Sequence, residues 1–178
     1  SVDSQQTNAT KTNGILTSDG SDKDANMTFG WALSTGQGTR LATCSGPAHG
    51  KSSSHRAEAT GILSGSSFIH RLSQYSGLIP YKLDLFSDNK GLITRIHARR
   101  QYSTNHPNAT LAPNWDLVEQ IHRTMEDIKQ QNKNFSPTIT HVKGHQDDHT
   151  LYAALPLEAQ LNVDADAAAG AFHTHAQY

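Results

Sequence analysis

Residues 1–13 (SVDSQQTNATKTN) are polar and aperiodic, the pattern of a flexible N-terminal segment. From Gly14 the pattern sharpens. Ile15 and Leu16 lead into Ser18-Asp19-Gly20-Ser21, a turn-forming run, so a first strand is expected to end there. Across Thr28–Ser34, Phe29, Trp31 and Leu33 alternate with smaller residues, the period of a strand with one buried face. After the Thr35-Gly36-Gln37-Gly38 turn, Arg40–Ser45 predicts a third strand. The short connections make these three an antiparallel meander.

The period then lengthens. Between Ser54 and Tyr75, Ile62, Leu63, Ile69 and Leu72 recur on one helical stripe, with Ala59 and Ser66 between them. Lys82–Phe86 is a short apolar strand closed by Ser87-Asp88-Asn89, where a second helix with Leu92, Ile93 and Ile96 begins. Residues 101–113 are polar, contain Pro107 and Pro113, and predict a loop. Asn114–Gln131 predicts a third helix whose buried face carries Leu117, Val118, Ile121, Met125 and Ile128. Thr138–Val142 gives a last strand, and after a long loop Val163–Phe172 predicts an alanine-rich helix. Residues 173–178, with His173 and His175, read as a frayed C-terminus without a function.

Strands that follow helices usually lie parallel to a neighbour through right-handed crossovers. The expected class is therefore α/β, with a mixed sheet and an antiparallel edge, in one domain over residues 14–172. The length of 178 residues fits one domain with a core of its own.

Charge narrows the function. With 15 basic and 16 acidic residues the net charge is −1, which argues against holding a polyanion by bulk positive charge. Local patches would have to serve, and Arg95 with Arg99, one helical step of four apart, and Arg100 are candidates. The 11 histidines could add positive charge near pH 6. Cys44 stands alone, so no intrachain disulfide can form, which suits an intracellular setting. No apolar run is long enough to span a bilayer and no secretory signal is visible, so no membrane partner is expected. Asn-x-Ser/Thr matches at Asn8, Asn26 and Asn108 are then chance occurrences. Ser1 rather than methionine at the start suggests a piece of a longer precursor or a trimmed chain.

The acids carry the chemistry. Asp19 is expected at the end of the first strand and Asp88 at the end of the fourth; if those strands are parallel neighbours, both carboxylates emerge at one sheet edge, where ligands of α/β sheets bind. Glu58 falls in the first turn of the first long helix and Asp166 in the last helix. Singly each has a plain explanation: a turn residue, an N-terminal acid favoured by the helix dipole, an N-cap, a solvated helix acid. Converging, they would repel one another and call for a hard cation, magnesium or manganese. Two such ions about 4 Å apart can activate water and stabilise the leaving oxygen of a phosphodiester. A zinc site at His145–His149 lacks a cysteine or third histidine at ligand spacing. Trp31 and Trp115 read as core or core-edge residues.

Five segments in order resemble type 1 ribonuclease H, particularly the domains of retroelement polyproteins, over about Gly14 to Gly170. They are Leu16-Thr17-Ser18-Asp19-Gly20-Ser21, Ser53-Ser54-His55-Arg56-Ala57-Glu58, Phe86-Ser87-Asp88-Asn89, His141-Val142-Lys143-Gly144-His145 and Asn162-Val163-Asp164-Ala165-Asp166. The resemblance implies a ribonuclease H-like fold with a five-stranded sheet, three strands antiparallel and two parallel. It also implies a magnesium-dependent endonuclease acting on the RNA strand of RNA–DNA hybrids, with a reverse transcriptase domain of the same polyprotein as a partner.

By the same resemblance Asp19, Glu58, Asp88 and Asp166 are ligands of two Mg2+ ions, with Mn2+ able to substitute. Asp19 would bridge both; Asp166 would join it on the ion holding the attacking water, and Glu58 and Asp88 would hold the other. His145 would assist proton transfer or product release, with His149 as its competitor. Ser53, Arg56 and Asn114 match positions that hold a DNA phosphate. Gly20, Ser21, Ser54 and His55 match positions facing the hybrid's minor groove, where a 2′-hydroxyl distinguishes RNA from DNA. The family's Asn-Asn or Asn-Gln pair is Ser54-His55 here, the basic protrusion of bacterial relatives is not evident, and the loop before Asn162 is long. Asp164 competes with Asp166, but two residues apart on a helix they face different ways.

Two other functions share the pattern. A transposase- or integrase-like DNA nuclease uses a late-helix acid but lacks an early-helix Glu, so Glu58 and the Lys-Gly-His segment favour the ribonuclease. A non-catalytic nucleic-acid-binding domain would signal itself by a lost ligand.

Overall fold

The computed structural model describes residues 13–76 and 81–175. Its elements are β1 (Asn13–Lys23), β2 (Asn26–Thr35), β3 (Arg40–Pro47), α1 (Ser54–Ser76), β4 (Lys82–Ser87), α2 (Lys90–Arg100), α3 (Trp115–Gln131), β5 (Ser136–His141) and α4 (Leu157–His175). The sheet runs β3-β2-β1-β4-β5, with β1–β2 and β2–β3 antiparallel and β1–β4 and β4–β5 parallel. The mixed sheet and its antiparallel edge are as expected.

Alternation along the strands sorts the two faces. Leu16, Phe29, Trp31, Leu33, Leu83, Leu85 and Ile139 form one core with Ile62 and Ile69 of α1, Leu92 and Ile96 of α2, and Ile121, Met125 and Ile128 of α3. Burying one such side chain contributes about 1.5–3 kcal/mol. The opposite face is covered by α4 over β1 and β2, where it presents buried Ala165 and Ala169. Small side chains let this helix lie close to the sheet.

Several boundaries differ from expectation. β1 does not turn at Ser18–Ser21 but runs on to Lys23, held by pairing to β2; the turn falls at Asp24 and Ala25, both at positive φ. Leu72 is exposed, because the buried stripe of α1 steps from Ile69 by four to Ser73, whose hydroxyl donates to Gln131 Oε1 at 2.6 Å. α4 begins at Leu157, six residues before the expected Val163, so Asn162 is buried inside the helix rather than at its start. The helix also continues through His173. The loop of residues 101–113 contains one 3-10 turn, Pro107–Leu111, and the loop before α4 contains two more. The segment of residues 1–13, apart from Asn13, and residues 176–178 lie outside the described residues.

Candidate active site

β1 outruns β4. Its parallel pairing stops at Thr17↔Phe86, while pairing to β2 continues to Lys23↔Asn26. Asp19 therefore lies in an overhang beside the end of β4, which delivers Asp88 immediately after Ser87. Two glycines set how closely the helices approach. A Cβ on Gly20 would stand 2.4 Å from the Glu58 nitrogen, so the start of α1 rests directly on β1. A Cβ on Gly30, the cross-strand partner of Asp19, would stand 2.2 Å from the Ala165 oxygen, so α4 lies against the sheet beside Asp19. Glycine is the residue that permits such approach.

Asp19, Glu58 and Asp88 each place a carboxylate oxygen within 4.8 Å of the others. Asp166, on α4, lies close enough to Asp19 to raise its pKa, but it is not one of the three acids whose oxygens share the 4.8 Å group. Asp19 and Glu58 are each only 4% exposed, and Ser87 Oγ donates to Glu58 Oε2 at 3.2 Å. Glu58 lies beyond the first turn of α1 and faces the acids, so the helix dipole does not explain it. Nor is Asp88 the cap of α2: Asn89 caps it, accepting from the Leu92 N–H at 3.0 Å.

Among the described residues, none of these acids pairs with a lysine or arginine. The consequence is visible in their ionisation. Burial first, then the hydrogen bond to Asp166, raises Asp19 to about 7. Burial first, then the hydrogen bond and charge of Asp88, raises Glu58 to about 11. Both shifts favour the neutral acid over the carboxylate where no cation offsets the charge. Oxygen-only donors, two of them buried and two half-buried, with no lysine or arginine paired to them, fit magnesium or manganese.

The loop after β5 closes over this edge. Val142 donates to the Ser87 carbonyl at 2.9 Å, and a Cβ on Gly144 would meet Asp88 Oδ2 at 2.7 Å. His145 follows, exposed and left-handed at φ 55, and His149 lies exposed at the end of the next 3-10 turn. Asp164 turns away from the acids, to Arg40 at 3.1 Å and the Tyr152 hydroxyl at 2.8 Å.

The expected nucleic-acid contacts divide. Ser53, Arg56 and Asn114 do come together: Ser53 Oγ caps α1 by accepting from the Arg56 N–H at 3.0 Å, and Arg56 donates to Asn114 Oδ1 at 3.2 Å. Arg56 also forms a two-pronged pair with Asp116, at 3.2 and 3.0 Å, and donates to the His49 carbonyl. Gly20 is wedged against α1, and Ser54 is exposed at the start of that helix. His55 is half-buried with its Nε2 unpartnered; burial, then Arg95, depresses its basicity. Ser21 is half-buried and its hydroxyl meets His173 Nε2 at 3.1 Å. The basic residues of α2 do not form a free patch: Arg99 pairs with Glu119 at 2.5 Å, Arg95 binds the Pro113 carbonyl, and Arg100 is half-buried.

Sequence reasoning missed Asp116 and His173. Gly30 between Phe29 and Trp31 was a readable signal of close approach; neither Asp116 nor His173 had one.

Similarity to solved structures fits this architecture. The ribonuclease H domain of PFV shares 16% identity at a TM-score of 0.60, over 90% of this chain and 92% of that one. LC11-RNase H1 in complex with an RNA/DNA hybrid shares 13% at 0.55, over 88% and 96%. The foamy viral protease-reverse transcriptase in complex with an RNA/DNA hybrid shares 7% at 0.54, over 89% of this chain and 20% of that one. No family model and no curated protein matches the sequence. The chain has the ribonuclease H-like fold, with an acidic cluster at the edge of its sheet that could hold metal ions.

Proposed function

We propose that this chain is a magnesium-dependent endonuclease that hydrolyses the RNA strand of RNA–DNA hybrids. The observation that carries this is the meeting of Asp19, Glu58 and Asp88, with Asp166 against Asp19, on a ribonuclease H-like fold. Among the described residues no helix is long and apolar enough to cross a membrane; the setting this reading implies is the cytoplasm, the nucleus or a retroelement particle. Likeness to a domain of a foamy viral reverse transcriptase supports a retroelement polyprotein as the parent, with a reverse transcriptase as partner.

Asp19, Glu58, Asp88 and Asp166 would hold the ions, which when bound supply an activated water and offset charge on the leaving oxygen. Asp19 and Glu58 would hold such ions in their deprotonated forms. His145, on the loop that touches Asp88, exchanges a proton between the site and solvent. Ser53, Arg56 and Asn114 hold a phosphate of the DNA strand. Gly20, Ser21, Ser54 and His55 line the face toward the minor groove.

The test is a labelled RNA–DNA hybrid with magnesium, beside duplex DNA, duplex RNA and single-stranded RNA. Cuts are expected only in the RNA strand of the hybrid, leaving 5′-phosphate ends, with near-total loss in Asp88→Asn. Equal cutting of duplex DNA would point to a transposase- or integrase-like nuclease. Binding without cutting would point to a non-catalytic domain.

A further inference from the structure

Resting on that reading, we propose that His173 is a positioning residue that fixes the Ser21 hydroxyl as a contact to a ribose of the bound strand. Ser21 follows Asp19 by two residues on β1, so both project from the same face, about 7 Å apart along the strand. His173 follows Asp166 by seven residues on α4, so these two share one helix face. The two elements thus meet in successive pairs: Asp19 beside Asp166, then Ser21 with His173, Nε2 to Oγ 3.1 Å. A strand with a phosphate at the acids would bring a neighbouring sugar within reach of the second pair. Thr28 Oγ1, donating to the Ala169 carbonyl at 3.0 Å between the two pairs, holds α4 in register.

A free serine hydroxyl rotates and serves as donor or acceptor at random. The imidazole nitrogen occupies one of those functions and leaves the other for a bound strand. The 2′-hydroxyl is the group on an RNA strand that such a neutral, directional contact can read. A pocket of about 500 Å³ lined by Lys23, His49 and His173 adjoins this point and leaves room for the strand to continue.

The experiment is a double-mutant cycle with His173→Ala and Ser21→Ala, read by KM and kcat on a hybrid and by hybrid affinity in EDTA. Each single variant is expected to raise KM and weaken affinity about three- to tenfold, the worth of one neutral hydrogen bond, with kcat nearly unchanged. The double variant should be no worse than Ser21→Ala alone, because His173 acts through Ser21. A hybrid with single 2′-deoxy substitutions flanking the cut should penalise the wild type more than either variant. His173→Gln, able to hydrogen-bond the serine again, should recover part of the loss, which a purely structural role would not show. Additive losses, an effect on kcat alone, or an equal 2′-deoxy penalty in all variants would overturn the proposal. A wild type that neither binds nor cuts hybrid overturns the function itself; one that binds without cutting still decides the role of His173 through the affinity cycle.

Discussion

Arg56 and Glu58 are two residues apart on α1, and the helix turns them to nearly opposite sides. Glu58 enters a group of acids that has no basic partner among the described residues. Arg56 enters a group in which Asp116, Asn114 and the His49 carbonyl already satisfy its guanidinium. The fold has supplied an internal anion for its cation and no internal cation for its anions. A buried carboxylate group without a counter-charge is unstable, so the acid side requires something from outside. The arginine side requires nothing, and a phosphate arriving there must compete with a carboxylate.

The largest expected break in this contrast is Glu58→Gln. It keeps shape while removing a charge and a ligand. Cleavage should fall on the order of a thousandfold, about 4 kcal/mol of transition-state stabilisation. In EDTA the same variant should melt at a higher temperature than the wild type, because the wild-type chain must take up a proton on Glu58 to fold and a glutamine need not. Activity and stability moving in opposite directions would mark a site built for an absent charge. If both fell together, Glu58 would be a structural residue.

The pH dependence of the metal-free protein gives the next effect. Asp19 moves from an ordinary 3.8 to about 7, and Glu58 from 4.5 to about 11. The folded chain therefore keeps protons that the unfolded chain has already lost, and stability falls as pH rises through this window. Each group contributes a slope of up to about 1.4 kcal/mol per pH unit, so the fall is steeper below pH 7, where both act, than above it. Magnesium should flatten the profile, since it binds the deprotonated form. Melting in EDTA and in magnesium between pH 5 and 9 checks both. A metal-free melting temperature that rises from pH 5 to 8 would remove the electrostatic argument.

The acid side was legible in the sequence because its parts sit at marked positions. Asp88 follows a short apolar strand, Asp19 precedes a glycine and Glu58 lies near the start of a periodic helix. The parallel β1–β4 pairing then brings Asp19 and Asp88 to one edge. The arginine side was half legible: the Ser53, Arg56 and Asn114 types were readable, but not the pairing of Arg56 with Asp116, which spans 60 positions and leaves no periodic trace. The long β1 escaped for a local reason. Ser18-Asp19-Gly20-Ser21 has turn-forming composition, yet Gly20 serves the approach of α1, and pairing to β2 overrides the turn preference. His173 was read as fraying because nothing in a chain end announces that α4 continues to hold it against Ser21.

Asp116→Ala is the smallest and most discriminating change. The Arg56–Asp116 pair is partly exposed, 17% and 39% at the two side chains, so losing it should cost stability only about 0.5–1 kcal/mol. Some of that cost reflects the place of Asp116 in the first turn of α3, where a negative charge suits the helix dipole. Freed from its carboxylate, Arg56 would offer two N–H groups to a phosphate in the geometry that guanidinium favours. Hybrid affinity should then rise a few-fold, and its logarithmic salt dependence should steepen by about one unit. Arg56→Ala should move both in the opposite direction. If Asp116→Ala instead weakens binding as Arg56→Ala does, Asp116 is the residue that aims the guanidinium rather than one that occupies it. The arginine side would then be as dependent on its partner as the acid side is on a metal, and the contrast between the two groups would close.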